Sequence, residues 1–409
     1  MIVKTYIMEV CPNIRSNAIY AANLLQEISN TNPYKYCLIF PKSAELEDIV
    51  GKTLLKKLTQ NTTIKIYKFP KPFFSLGVIM LILKLRPKII HLQHEYAWYN
   101  RSLSLIPLIY ISKLLSLRIA ITMHSIFRKP KIFYKELSIK GLPKILKENM
   151  IRYYVELINR IILKLSDVII VHTVQMKDVI KTFPYPTRNV FVIPHGSDTK
   201  CSKHFECQEK TLQNSLCIRT LGFIEPRKGQ DISIQIMKRL NENGINSHLH
   251  IEGDVPQSKT EKNNYEFYNY IVELSRNMGN VSIEAKYLTN DELRTKILSS
   301  DIILLPYRIE NSEKILNTNA SGIFSTAIGC GVVVVGSNMP AFVSTLGEKC
   351  PNLTFGTIDE AVDIISSFTK DRSKLKLVSS CLKKFAEENI SWEKIASLHL
   401  DVLECGTLF

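Results

Sequence analysis

The sequence predicts an α/β chain of two doubly wound domains, and three observations predict it. Short runs of strand length alternate with segments of helix length from one end to the other. Most of the strand runs are largely apolar. They also fall into two series parted by a polar stretch at 199–215. Apolar strands separated by helices form parallel sheets covered on both faces. At 409 residues the chain exceeds one ordinary core, which fits two domains of roughly 200 residues each.

In order, the first series reads "MIVKTYIM", "YCLIF", "IKIY", "KIIHL", "RIAITM", "VIIVH" and "VFVI". The second reads "LCIRTLG", "SHLHIEG", "VSIEA", "IILLP", "VVVVG" and "NLTF". Segments such as "SNAIYAANLLQEIS", "DELRTKILSS" and "IDEAVDIISSF" have helical length and spacing. The seam falls just after "VIPHGSD", giving a first domain at 1–198 and a second at 199–378. The last stretch, 379–409, is a helical segment expected to pack back toward the first domain. Each sheet is expected to hold ligand at the carboxyl ends of its strands, with a cleft between the two domains.

Hydrophobic content of 45% and charged content of 22% exclude a disordered chain. No run approaches the roughly 18 apolar residues of a membrane span. The N-terminus "MIVKTYIMEVCPN" lacks the parts of a signal peptide and reads as a first strand, so a cytoplasmic protein is expected. Nine scattered cysteines do not form a disulfide framework. "CSKHFEC" (Cys201, His204, Cys207) lacks a fourth zinc ligand and reads as an interdomain loop. His91 and His94 in "HLQHE" sit three apart on a strand end, facing opposite ways, and do not form a metal pair.

The net charge is +15, from 53 Lys and Arg against 38 Asp and Glu. Such an excess favours phosphorylated ligands, an anionic membrane face or nucleic acid. Much of it lies at 128–164, where apolar residues Ile151, Tyr154, Val155, Ile158, Ile161, Ile162 and Leu165 recur at helical spacing. That pattern either packs on its own domain with solvated lysines, or lies on the inner face of a membrane as a basic amphipathic helix. Nucleic acid is disfavoured, since no basic groove interleaved with aromatics is evident.

Two strand-end turns carry the chemistry. "LGFIEPRKGQD", 221–231, ends a strand at Gly222 and brings Arg227 and Lys228 ahead of a helix. Unpaired N–H groups and the positive helix end at such a turn favour a phosphate, with Lys228 as a point charge and Arg227 as a fork. In "LLPYRIENSEKILNTNASGIFSTAIGCGVVVVGS", 304–337, Ser321 and Gly322 open a helix and offer donors for a second anion contact. One diphosphate touching both turns is the expectation.

These stretches, together with "VIPHGSD", "SWEKIA", "IIHLQHEYAWY" and "ITMHSIF", resemble glycosyltransferase family 4, and in one order over nearly the whole chain. The resemblance implies the GT-B fold, two facing Rossmann-like domains with a final helix returning to the first. It implies a retaining transferase that takes a sugar from a nucleotide diphosphate donor on the second domain to an acceptor on the first, with no metal. No Asp-x-Asp occurs in the chain. By resemblance Lys228 contacts the donor phosphates, and His124, at the tip of "ITMH", bonds or orients the donor sugar. No protein general base is implied, the donor phosphate assisting the acceptor.

The sequence departs from that pattern at three places. Phe223 stands where many members carry Arg, and either Arg227 or Arg308 takes over the charge. The paired glutamates are missing, their places falling on Thr326 and on Thr318 or Asn319. Glu310 and Glu313 are substitutes in the preceding loop. The glycine pair after the first strand is replaced by "CPNIRSN", where Asn13, Arg15 and Ser16 either meet donor or acceptor or simply start the helix. His94 and Glu95, near Tyr96 and Trp98, suit the lip of an acceptor site or a structural cap. The alternatives are a non-catalytic nucleotide- or sugar-binding protein of the same fold, and a transferase acting on nucleic acid.

Overall fold

The computed structural model describes residues 5–12, 16–32, 34–43, 47, 50–96, 103–126, 144–184, 189–201, 215–256, 262–309, 320–346 and 353–406. The chain forms two compact units. The first comprises the residues up to Gly196, 312–320 and those from Trp392 onward; the second comprises Ser197–Asn311 and Ser321–Ser391.

The first unit runs β1 (Thr5–Val10), α1 (Ser16–Thr31), β2 (Lys35–Pro41), α2 (Lys52–Gln60), β3 (Ile64–Phe69), α3 (Phe74–Leu85), β4 (Ile89–His94), α4 (Leu105–Leu114), β5 (Arg118–Met123), α5 (Lys144–Leu165), β6 (Val168–Val171), α6 (Val174–Lys181) and β7 (Val190–Val192). Its seven strands lie in the order β3-β2-β1-β4-β5-β6-β7, with every pairing parallel. All six residues of β1 and of β4 are buried, as central strands of a sheet covered on both faces are. The order reverses between β1 and β4, the topological switch point where such sheets gather ligands and polar residues.

The second unit continues with β8 (Leu216–Leu221), a 3₁₀ turn at Pro226–Lys228, α7 (Gln230–Glu242), β9 (Ser247–Gly253), α8 (Lys262–Ser275), β10 (Val281–Ala285), α9 (Asn290–Leu298), β11 (Ile302–Leu305), α10 (Gly322–Gly329), β12 (Val333–Ser337), α11 (Pro340–Leu346), β13 (Thr354–Phe355), α12 (Ile358–Lys370) and α13 (Arg372–Asn389). Its sheet, β10-β9-β8-β11-β12-β13, is also parallel throughout. Thr289 with Glu292 and Thr357 with Glu360 form capping boxes that start α9 and α12.

The break expected at 378/379 falls inside α13. That helix buries Val378, Leu382 and Ala386, one stripe at helical spacing, against α10, α12 and β12 of its own unit. Only α14 (Trp392–Glu404) joins the first unit, packing on α1. Its buried face, Trp392, Ile395, Ala396, His399, Val402 and Leu403, is worth about 1.5–3 kcal/mol per large apolar side chain. Although the scattered cysteines were not expected to form a disulfide framework, Cys201 is bonded to Cys330 at the end of α10, their Cα atoms 5.2 Å apart, a spacing that suits a disulfide.

Candidate functional site

At the carboxyl end of the first sheet, the switch point is filled by polar side chains. Glu9 on β1 is wholly buried and stands beside His91 of β4 in register. Its carboxylate oxygens accept from His91 Nδ1 at 2.7 Å and Gln93 Nε2 at 2.6 Å. His91 Nε2 lies 2.8 Å from the Thr122 hydroxyl on β5. The Gln93 carbonyl in turn meets His124 Nε2 at 2.6 Å. His124 Nδ1 is 3.1 Å from His172 Nε2, and His172 Nδ1 donates to the Ile193 carbonyl at 3.0 Å. A continuous hydrogen-bonded row thus crosses the ends of β1, β4, β5, β6 and β7. Tyr20 of α1 sits against it, its ring 5.1–6.2 Å from those of His124, His172, His195, Trp392 and His399.

Burial makes these imidazoles resist protonation. His94 and His172 are each pushed down to about 3, by desolvation and, for His172, also by its neighbour His195. His124 is held well below the usual histidine range, first by burial and then by His172, His195, His94 and His91. His195 is lowered as well.

In the second unit, Gly222 (φ 109°) ends β8 and Gly229 (φ 70°) joins the 3₁₀ turn to α7. Both backbones need glycine. A Cβ on Gly229 would lie 2.0 Å from the Pro306 carbonyl, and one on Gly222 would lie 2.7 Å from Ile323 Cδ1. These close approaches bring the turn after β8 against the start of α10. Lys228 Nζ stands 3.8 Å from the centroid of the Tyr307 ring, a cation–π distance. The Tyr307 hydroxyl is 3.2 Å from Ser321 Oγ. Ser321 caps α10, its side chain accepting from the Phe324 amide.

The structure therefore gathers Gly222, Lys228, Ser321 and Gly322 at one end of the second sheet. The two arginines are committed internally. Arg227 pairs with Glu225 at 2.7 Å, and Arg308 binds the buried Asp231 carboxylate and the Pro226 carbonyl. Lys228 makes no ion pair among the described residues, so it is the cation left to meet an anion. The Thr326 hydroxyl is spent on the Gly322 carbonyl of its own helix, 2.8 Å away. In the first unit His94 is fully buried and edge-on to Tyr96, which removes it from an acceptor lip in this conformation. Glu95 holds the Ser125 hydroxyl. Ser16 opens α1. Asn13, Arg15, Trp98, Glu310, Glu313, Thr318, Asn319, His204 and Cys207 lie outside the described residues, as does 128–143 of the basic stretch.

Sequence reasoning missed Glu9, Gln93 and His172 as partners of His124. Their signal was a polar residue inside an otherwise apolar strand end, in "YIMEV", "HLQHE" and "VIIVHT". Among the described residues no group of three or more His, Cys, Asp or Glu is arranged to hold a metal ion.

Residues 38–200 match the family model described as Glycosyltransferase Family 4. Over that stretch the chain is similar to family 4 glycosyltransferases. The matched stretch runs from within β2 through β7 and hence takes in most of the histidine row. No curated protein matches the chain in sequence. In fold it is similar to HepE of Anabaena, solved with UDP and glucose, with a TM-score of 0.68 at 13% identity over 98% of this chain and 99% of that one. It is similar to a glycosyltransferase from Rickettsia africae, with a TM-score of 0.68 at 16% identity over 98% of each chain. It is also similar to sucrose-phosphate synthase of Thermosynechococcus elongatus, with a TM-score of 0.66 at 14% identity over 96% and 97%. The fold is GT-B. No helix among the described residues is long and apolar enough to cross a membrane.

Proposed function

We propose that the chain is a retaining glycosyltransferase that moves a sugar from a nucleotide diphosphate donor, without a metal, to the hydroxyl of a lipid-linked or membrane-surface glycan. The observation that carries the donor part is Lys228, a cation that makes no ion pair among the described residues and is held over Tyr307 beside the Ser321 cap of α10. As the diphosphate leaves, negative charge grows on its oxygens while the sugar becomes oxocarbenium-like. Fixed N–H donors and an ammonium already in place stabilise that charge without reorganising. HepE binds UDP and glucose, which makes UDP-glucose the first donor to try. His124 serves the donor sugar, its row of partners fixing the ring.

Support for a membrane-surface acceptor comes from α3, α4 and α5, which pack side by side. They expose Leu76, Met80 and Leu83; Tyr110 and Leu114; and Met150, Tyr153 and Leu157. On α5 the same stripe continues into exposed Arg160 and Lys164, while its opposite face buries Val155, Ile158 and Ile162. Helices apolar on an outer face and basic at its end suit an anionic bilayer.

Thermal shift with UDP, GDP, ADP, CDP and UDP-glucose, with and without EDTA, tests the donor reading. A native-state ligand raises the melting temperature as RT ln(1 + [L]/Kd). A shift with one nucleotide that survives EDTA is expected. No shift with any of them in folded protein would favour a non-catalytic member of the fold.

A further inference from the structure

Lys228 is carried by a turn that its own packing does not fix. Pro226–Lys228 buries none of its side chains. It is closed by the Lys228 amide on the Glu225 carbonyl at 2.9 Å and the Gly229 amide on the Pro226 carbonyl at 3.2 Å. An ammonium on a flexible four-carbon stem needs a firmer base than that to stand in one place. The chain leaving β11 supplies it. A Cβ on Gly229 would fall 2.0 Å from the Pro306 carbonyl, the buried Tyr307 ring meets Lys228 Nζ at 3.8 Å, and the Arg308 amide donates to the Arg227 carbonyl at 3.0 Å.

The Arg308 side chain completes the arrangement. Its Nη1 donates to the Pro226 carbonyl and its Nη2 to Asp231 Oδ2. Those acceptors stand at the two ends of the segment that carries Lys228, for Pro226 opens the 3₁₀ turn and Asp231 lies in the first turn of α7. Asp231 is only 5% exposed, and α7 is anchored through buried Ile234, Ile236, Met237 and Leu240. One planar guanidinium thus ties an unanchored turn to an anchored helix. A fork with donors on both arms spans the two acceptors at once; an ammonium is a single point.

We propose that Arg308, held by Asp231, is a positioning residue for the donor, fixing the Pro226–Lys228 turn so that Lys228 stands in place before the diphosphate arrives. This rests on the reading of Lys228 as the cation that meets the donor phosphates. It gives Arg308 a part in transfer other than supplying the charge that Phe223 lacks. A charge-stabilising group contributes most when it needs no reorganisation, and a misplacement of about 1 Å costs on the order of 10²-fold. The two roles separate in the energetics. A cation that touches phosphate contributes whether or not Lys228 is there. A residue that acts through Lys228 contributes nothing once Lys228 is gone.

The experiment is a double-mutant cycle on the full-length protein, read by isothermal titration calorimetry with UDP, or with GDP, ADP or CDP where that nucleotide gives the thermal shift. Arg308→Met, which keeps the stem and loses the donors, should weaken binding about 10-fold, and Arg308→Lys should weaken it less. In a Lys228→Ala background Arg308→Met should change the affinity little further. Losses that add in the double variant put Arg308 on the phosphate and overturn the proposal. So does an Arg308→Met protein that binds as wild type does, since a residue needed only for stability would lower the melting temperature and leave the affinity alone. Asp231→Asn takes the place of Arg308→Met if that variant does not fold, and should give the same cycle. Hydrogen exchange without nucleotide gives a second reading, in which the Lys228 and Gly229 amides should exchange about 10-fold faster in Arg308→Met or Asp231→Asn than in wild type. Equal exchange overturns the proposal. If wild type binds none of the four nucleotides, the donor reading fails, while the exchange rates still decide whether Arg308 holds the turn.

Discussion

Lys228 Nζ lies 3.8 Å from the centre of the Tyr307 ring, and the Tyr307 hydroxyl lies 3.2 Å from Ser321 Oγ. One tyrosine thus links the turn after β8 to the cap of α10. Among the described residues the cation rests on a ring face and makes no ion pair, so a diphosphate has none of these to break in reaching it.

Replacing Lys228 with Ala should therefore lower transfer about 10²-fold, the scale for losing one charge-stabilising donor, with the fold unchanged. Lys228→Arg should retain part of the activity. Tyr307→Phe keeps the ring under Lys228 and loses only the Ser321 contact, so its loss should be smaller. Steady-state kinetics on the three variants, with circular dichroism as the fold control, checks the ranking. Unchanged turnover in Lys228→Ala would sink the donor-site assignment.

The buried histidines predict an acid-sensitive fold. Their native pKa values lie below the unfolded value of about 6.5, at about 3 for His94 and His172. The unfolded chain thus binds more protons between these limits, and stability falls as pH drops from about 6.5 toward 3. Each such histidine contributes a slope of about 1.4 kcal/mol per pH unit in that window. Urea midpoints at pH 7.5 and 5.5 should differ, and His94→Gln should narrow the gap. A midpoint that does not move between the two would contradict the burial of these rings.

Attachment of α14 to the first unit depends on Gly196. A Cβ there would fall 2.3 Å from the Trp392 ring, and that ring is buried. Gly196→Ala should cost about 1–3 kcal/mol by overpacking, and Gly196→Ala with Trp392→Leu should recover part of it. Urea denaturation reads both; equal midpoints for wild type and Gly196→Ala would mean that α14 shifts freely.

The sheets were legible because their central strands are buried on both faces and so are largely apolar, while the edge strands β3 and β10 stay short and partly exposed. All thirteen strand runs expected from the sequence appear as β1 to β13. The seam near 198 was legible from polarity. The second seam was not, because α13 and α14 have the same amphipathic period and only packing decides which unit each joins. At the sites, glycines and cations on strand ends pointed to the turn at 221–231. Sequence could not show that Arg227 and Arg308 are spent on Glu225 and Asp231, since both pairings are made by the folded turn. Nor could spacing place Glu9 beside His91, 82 residues away.

The apolar face of α3, α4 and α5 separates two modes of membrane contact. An electrostatic mode acts through Arg160, Lys164 and Lys84, all exposed, at about 1 kcal/mol per basic residue near an anionic surface. It weakens with salt, because the Debye length shrinks to a few ångström at about 1 M. An insertion mode acts through Leu76, Met80, Leu114 and Tyr153, each at least half exposed, and is indifferent to salt. Neutralising the three basic residues should lower binding to anionic vesicles on the order of 10²-fold in dilute buffer and little at high salt. Replacing Leu76, Met80 and Leu114 with Ser should lower it at both. Co-sedimentation with vesicles with and without anionic lipid, at two salt concentrations, reads all four cases. If both sets of variants bind as wild type does, this face is not the one that meets lipid. If wild type binds no vesicle while forming dimers that the Ser variants lose, the face pairs two copies of the chain instead.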